Sequence, residues 1–419
     1  MKGRITRIRM WGRTAGYAFW DAKRQCAVFE YDADFMRLGY DIAPLTMPPA
    51  NLPYVFGSLS RETFNGLPGM LSDSLPDSYG NRLIDLWMSE NKIRGADFTP
   101  LDRLSYVGRR GMGALEYEPV LGRTYDGKIN VNKLSDLAAD VLRQRENVMS
   151  SLTPEGLQEL LSVGTSAGGA RAKAVVGMNE EGDIRSGQAE LPDGFSHWLI
   201  KFDTEPENSE KKGYCRIEHA YHEMAKACGI EMTECRLLEM GTKAHFVTKR
   251  YDRAGKEKIH AQTLCALAHY DFKVPGKYSY EDMLGIMRTL RMPYGDREQA
   301  FRRMVFNVVM RNQDDHTKNF SFLLREKGSW RLSPAYDVTY AFDPTNYWTQ
   351  RHQMSVRGKL HDITRNDLKE FAHRADIRNA GDMIDAITST ASEWGRYAAD
   401  SGVPERTVEK IDRVLLKDL

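Results

Sequence analysis

In the C-terminal half of the 419-residue chain, Phe301, Met304, Val305, Val308 and Val309 recur at helical spacing. They run into a polar cluster, Asn312-Gln313-Asp314-Asp315-His316-Thr317-Lys318-Asn319, and then into the apolar stretch Phe320-Ser321-Phe322-Leu323-Leu324. The pattern predicts a buried helix, a polar loop and a strand. Asp314 and Asn319 stand in a D-x-x-x-x-N spacing. Phosphoryl transfer to a hydroxyl needs an aspartate that accepts the hydroxyl proton and an asparagine that holds magnesium, both facing the transferred group. Asp315 is one residue too close to Asn319 and is assigned a lesser, structural role. A turn expected at Arg325-Glu326-Lys327-Gly328-Ser329 returns the chain to Tyr336-Asp337-Val338 and makes Asp337 the second candidate magnesium ligand. Any one of these acids alone reads as a turn cap. Their joint order and spacing point to a phosphoryl-transfer centre.

Upstream, Gly164-Thr165-Ser166-Ala167-Gly168-Gly169-Ala170 is small and glycine-rich, which lets backbone amides approach phosphate oxygens. By composition it also suits a flexible connector. Lys201 ends a β-branched and aromatic stretch and offers a point charge for the α- and β-phosphates. Glu218, placed at the start of the following helix, is its candidate ion-pair partner, with a surface salt bridge as the plainer reading. The glycine-rich stretch also contains a literal G-x-S-x-G, the signature of a serine hydrolase. A nucleophile elbow needs a strand before and a helix after, whereas here the pattern reads helix before and strand after.

These groups must be positioned by surrounding elements. Alternation from Ile5 to Met36, with Gly12, Gly16 and Asp21 read as turns, predicts a small sheet. Helical patterning from Phe64 to Asn91 and a strand at Gly113 to Pro119 complete a first α+β unit. A helical, charged segment from Gly122 to Asn147 leads to a second sheet built from Ala172–Gly177, Phe195–Lys201 and a single strand over Leu237–Lys249, with a helix at His219–Gly229. Helices then dominate: Tyr280–Arg291, Phe301–Arg311 and a run from Arg365 onward. The expected organisation is α+β, with a small N-terminal α+β subdomain over 1–125, a mixed-sheet nucleotide-binding lobe over 126–255 and a helical catalytic lobe over 256–419.

Bulk properties set limits on function. A formal charge of +1, with 41% apolar and 28% charged residues, argues against a mainly electrostatic partner such as nucleic acid. Five scattered cysteines without C-x-x-C spacing suit reduced thiols and not a zinc site. No apolar run reaches the ~18 residues of a membrane helix, and no signal-peptide core follows the first ten residues. A cytoplasmic location is expected.

The chain resembles the HipA family of bacterial serine/threonine kinases, the toxin partners of HipA/HipB toxin–antitoxin modules. The likeness is carried by Leu75-Pro76-Asp77, Ser166-Ala167-Gly168-Gly169-Ala170-Arg171-Ala172-Lys173, Ile200-Lys201, Lys249-Arg250-Tyr251-Asp252-Arg253, Asp314-Asp315-His316-Thr317-Lys318-Asn319-Phe320 and Tyr336-Asp337-Val338. It implies a kinase-like two-lobe fold using ATP and Mg²⁺. Lys201 would bind phosphates, Lys249, Arg250 and Tyr251 would form the adenine-contacting hinge, and Asp314, Asn319 and Asp337 would be base and metal ligands. Glu218, His316 and Lys318 would support them. Ser166 would be an autophosphorylated loop serine, with Thr165 as the competing acceptor. Relatives phosphorylate aminoacyl-tRNA synthetases and pair with a helix-turn-helix, HipB-like antitoxin that binds operator DNA. Two departures stand out: Arg171-Ala172 precedes the loop lysine where the family more often has glutamine and proline or glutamate, and Lys249 replaces the hinge glutamate. The readings from other classes are a small-molecule kinase of related fold and a pseudokinase acting as a binding or co-repressor module.

Overall fold

The computed structural model describes residues 5–76, 78–121, 127–143, 160–161, 171–187, 190–205 and 213–419. The chain divides into two compact units, Met1–Lys212 with Leu238–Ala261, and Gly213–Leu237 with Gln262–Leu419.

The first unit contains two five-stranded sheets. In the N-terminal sheet the strand order is Tyr54–Val55, Cys26–Tyr31, Arg13–Asp21, Ile5–Met10, Leu115–Glu118, and each ladder is antiparallel. The alternation read from Thr6 to Met10 is borne out, since Thr6, Ile8 and Met10 are buried. Gly16 is not a turn. It lies mid-strand opposite Tyr31, where a Cβ would meet the Glu30 carbonyl oxygen and the Phe29 ring well inside van der Waals contact. Asp21 does end its strand, its Oδ1 accepting from the amides of Lys23 and Arg24.

The second sheet runs Ile184–Ser186, Lys173–Met178, Ser196–Lys201, Lys243–Lys249, Cys235–Met240. The ladders of Lys173–Met178 with Ile184–Ser186 and with Ser196–Lys201, and of Ser196–Lys201 with Lys243–Lys249, are antiparallel where a mixed sheet is anticipated. The single strand expected over Leu237–Lys249 is instead a hairpin broken at Gly241, whose φ of 66° suits glycine. One face of this sheet (Ala174, Val176, Trp198, Ile200, Val247) shares a core with Leu83 and Ile84 of the helix Ser78–Glu90 and with Leu134, Ala138 and Val141 of Val131–Arg143.

Helices form most of the second unit. Tyr214–Ala227 starts five residues before the expected His219, and Tyr294–Val309 starts seven before Phe301. The extension of the second carries few apolar residues, so hydrophobic periodicity underestimates it, whereas that of the first includes the buried Cys215 and Ile217. The C-terminal run resolves into Arg365–Ala375, Ala380–Ser392, Trp394–Asp400 and Glu405–Asp412. Among the described residues no helix is long and apolar enough to cross a membrane, and all five cysteines are free thiols.

Candidate active site

The helix Tyr294–Val309 buries Phe301, Met304, Val305, Val308 and Val309, so it forms part of the core of its unit and gives the loop after it a fixed origin. The loop is then fastened at successive residues. Tyr221 donates to the Met310 carbonyl at 2.8 Å, and Arg311 takes a left-handed turn with φ 55°. The Asn312 amide donates to the Asn307 carbonyl and the Gln313 amide to the Ala341 carbonyl. Thr317 Oγ1 donates to the Tyr270 carbonyl at 2.8 Å, and the Cys265 amide donates to the Thr317 carbonyl. The strand Ser321–Leu324 pairs antiparallel with Arg331–Leu332, which brings the chain back toward Asp337.

Within this loop Asp314 and Asp315 face opposite conditions. The Asp314 side chain is 49% exposed, whereas that of Asp315 is 0% exposed. Asn319 donates from Nδ2 to the Asp314 carbonyl at 2.6 Å, which leaves its Oδ1 as an acceptor for a cation. Asn319 and Asp337 line one cavity of about 20 Å³, room for a single water-sized occupant, and Asp337 adopts a left-handed backbone with φ 52°. Among the described residues no group of three or more His, Cys, Asp or Glu is placed to hold a metal. Magnesium binds through one or two carboxylates, substrate phosphates and water. Asn319 and Asp337 supply oxygen donors of the right kind; the ion, when bound, would neutralise charge on the phosphoryl oxygens.

His316 and Lys318 both pack on Phe272, the imidazole with ring centroids 5.1 Å apart and Lys318 Nζ 4.8 Å from the ring centroid. His316 Nε2 lies 3.8 Å from Asp314 Oδ1, beyond hydrogen-bond range but close enough to shape the field at the carboxylate. Nothing in the local sequence pattern marks Tyr336 as part of the site. Its hydroxyl donates to the Lys318 carbonyl and pairs with Ser321 Oγ, each at 2.6 Å, tying the segment that carries Asp337 to the loop that carries Asn319.

In the first unit, Lys201 is buried, with its Nζ 5.8 Å from the Phe246 ring centroid. Directly across the ladder stands Lys173, also buried, so two ammonium groups share one face of the sheet. The position of Lys173 opposite Lys201 is a matter of strand register, which the local sequence does not reveal. The glycine-rich residues Ser166, Ala167, Gly168, Gly169 and Ala170, with Thr165, lie outside the described residues, as does Asp77. Lys249 is exposed at a strand end, its Nζ 5.7 Å from the Trp198 ring centroid. The Arg250 guanidinium donates to both Asp252 oxygens, at 2.9 and 2.7 Å, and to the Gly111 carbonyl. That side chain is therefore an internal strut. Tyr251 is half-buried in the turn that follows. Glu218, in the second unit, is buried within its helix and not at a solvated helix start, which removes the surface salt bridge as its explanation.

Fold and site together define an α+β chain of the kinase-like type, with Asp314 and Asn319 on one fastened loop and Asp337 beside the same cavity as Asn319. The HipA N-terminal domain model matches residues 6–118 and the HipA-like C-terminal domain model residues 165–394. The chain belongs to the HipA family. A solved complex of Shewanella oneidensis HipA, HipB and its operator DNA contains a chain that superimposes with a TM-score of 0.70 at 16% identity, over 98% of this chain and 96% of that one. This likeness shows the shared fold. "Putative kinase Y4dM" of Sinorhizobium fredii is 23% identical over 157 residues, 34% of this chain and 36% of the relative. A "Putative kinase" of Haemophilus influenzae is 28% identical over 135 residues, 29% of this chain and 39% of the relative. The match thus spans less than two fifths of the length of either curated relative.

Proposed function

We propose that the chain is an ATP- and Mg²⁺-dependent serine/threonine protein kinase acting on a cytoplasmic protein, of which an aminoacyl-tRNA synthetase is the leading candidate. The observation that carries this reading is the Asn319–Asp314 hydrogen bond, 2.6 Å long, beside the cavity that Asn319 shares with Asp337. Asp314, half-exposed, accepts the proton of the acceptor hydroxyl as its oxygen attacks the γ-phosphorus and the bond to ADP breaks. Asn319 and Asp337 hold the metal, and Lys201 supplies positive charge to the phosphates from the 126–255 lobe. Family membership, and the partners present in the Shewanella complex, favour a HipB-like antitoxin and, through it, operator DNA. On the same grounds Ser166 is the expected site of autophosphorylation, a negative charge that would repel ATP phosphates from the glycine-rich loop.

Labelled ATP incubated with a cell lysate should yield a labelled protein with wild-type enzyme and none with Asp337→Asn. Label appearing only on a small metabolite would instead establish a small-molecule kinase. In the same incubation without lysate, mass spectrometry should find phosphate on Ser166; phosphate confined to other sites defeats that assignment. Saturating Mg·ATP should raise the melting temperature, since a ligand at about 100 times its Kd stabilises by ~2.7 kcal/mol, and Lys201→Ala should blunt the shift.

A further inference from the structure

Asp315 is fully buried beside the half-exposed Asp314, and its polar contacts reach two distant segments of its unit, at Tyr280 and at 352–353. Its Oδ2 accepts from the Tyr280 hydroxyl at 2.6 Å and lies 2.9 Å from His352 Nδ1; its Oδ1 accepts from the Gln353 amide at 2.7 Å. An ionised carboxylate only accepts, so Nδ1 is the donor in the imidazole contact. The Tyr280 hydroxyl accepts from Asn307 Nδ2 at 3.0 Å, and Asn307 Oδ1 accepts from Asn312 Nδ2 at 2.9 Å. One connected polar network therefore joins the helices Tyr280–Thr289 and Tyr294–Val309, Asn312 and Asp315 of the polar loop, and the segment at 352–353.

Fold stability alone does not account for such a network. Replacing a buried ionic group by apolar residues of similar volume is often neutral or stabilising. What the network does supply is orientation. Asp315 shares a peptide unit with Asp314, so fixing the Asp315 carboxylate with three contacts from two segments fixes the backbone from which the Asp314 side chain projects and to which Asn319 is bonded. His352 also lines a second cavity of about 360 Å³, with Arg311, His361, Thr364 and Leu416 among its walls.

We propose that Asp315 and His352 form a positioning pair that sets the aim of Asp314 and Asn319, held from behind by an imidazole that borders an open cavity. The inference rests on the kinase reading above. Misplacing a reacting group by about 1 Å, or removing an orienting partner, costs roughly 10- to 100-fold in rate. His352→Ala should accordingly lower kcat about 10- to 100-fold while KM for ATP stays within about threefold. Because the missing ring leaves space continuous with the cavity, added imidazole should restore part of the lost kcat, as apolar cavities elsewhere admit ring-sized ligands. Amide hydrogen exchange of residues 314–319 should quicken in His352→Ala and in Asp315→Asn, a readout that needs no turnover. Unchanged kcat and unchanged exchange in His352→Ala would overturn the proposal. So would a loss of kcat that imidazole leaves untouched while the melting temperature falls, which would make the pair merely structural. A wild-type protein that transfers no phosphate defeats the kinase reading instead, and exchange at 314–319 then decides the positioning role by itself.

Discussion

Two short runs of charged residues, Arg250-Tyr251-Asp252-Arg253 in the first unit and Asp314 to Asn319 in the second, look equally chemical in the sequence and behave oppositely in the structure. In the first, everything charged is turned inward. Asp252 is fully buried, receives both Arg250 and Arg253 and accepts from the Gly113 amide at 2.6 Å, while the two guanidinium groups also donate to the Gly111 and Gly113 carbonyls. Burial raises the Asp252 carboxyl, but the two arginines outweigh it and hold the group far below the usual carboxylate range. The second run turns Asp315 inward and ties Thr317 to the Tyr270 carbonyl, but it leaves the Asp314 side chain half-exposed and Asn319 Oδ1 as an acceptor for a cation. Chemistry needs groups whose bonding capacity is left over for a substrate; a run that satisfies itself is a clamp, here fastening residues 111–113 of the N-terminal subdomain to the segment after the strand Lys243–Lys249.

The largest expected break in that comparison is at the base. Asp314→Asn should lower kcat by about 10² to 10⁴-fold, the usual contribution of general base catalysis, with a melting temperature close to wild type because the side chain is half in solvent. Wild-type turnover in that variant would move the base elsewhere. The matching change in the clamp, Asp252→Asn, should leave two buried arginines without their counter-charge and cost about 3 to 5 kcal/mol of stability by denaturant unfolding. Here the outcome that counts against the reading is a normally stable variant with impaired phosphate transfer, since that would make the segment a direct participant.

The same clamp predicts a pH dependence with a definite sign. Asp252 has a folded-state pKa depressed below its unfolded value, so the stability it contributes is complete above about pH 4, the unfolded carboxylate range, and is lost as pH falls toward the folded value. Asp315 is depressed as well, for although burial raises it, His352, Tyr280 and the Gln353 amide together outweigh that effect. Wild-type protein should therefore lose stability steadily below about pH 4, and Asp252→Asn, already without one of these charges, should lose less over the same interval. Parallel melting curves from pH 5 to pH 3, with no difference in slope between the two proteins, would show that Asp252 is not held ionised by the arginines.

How much of this was legible beforehand depended on the range of the interaction. The helix, loop and strand around Asp314 could be read because periodicity and the D-x-x-x-x-N spacing are local. Alternation alone placed the strand at Thr6 to Met10, yet it could not tell that Gly16 is required by the approach of Phe29 and Glu30 from the next strand, which is a matter of register. The hairpin at Gly241 was hidden inside a continuous strand pattern, because one glycine in such a run reads equally well as a bulge. For the same reason the partners of Asp315 were out of sight: Tyr280 is 35 residues before it and His352 37 residues after. One signal did exist. Asn307 interrupts an otherwise apolar helical face at Val305, Phe306, Val308 and Val309, and a buried amide there demands a polar partner nearby.

The smallest expected effect sharpens the comparison most finely, because it concerns the residue next to the clamp. Lys249 differs from Arg250 by one position in the chain and by everything in environment: its backbone pairs with Trp198, its side chain is exposed, and its ammonium lies 5.7 Å from the Trp198 ring centroid. A cation over an aromatic ring at an exposed site is worth about 0.5 to 1 kcal/mol. If adenine is held by backbone groups of this segment, as the hinge reading requires, Lys249→Ala should shift stability by no more than that and change the Kd for Mg·ATP by less than about threefold. Arg250→Ala, by contrast, removes two of the donors that hold Asp252 and should destabilise by about 3 kcal/mol or more. A tenfold or greater loss of ATP affinity in Lys249→Ala, at unchanged stability, would mean that the lysine side chain itself touches the nucleotide and that the replacement of the family's hinge glutamate altered recognition there. Isothermal titration of the two variants beside wild type separates these outcomes.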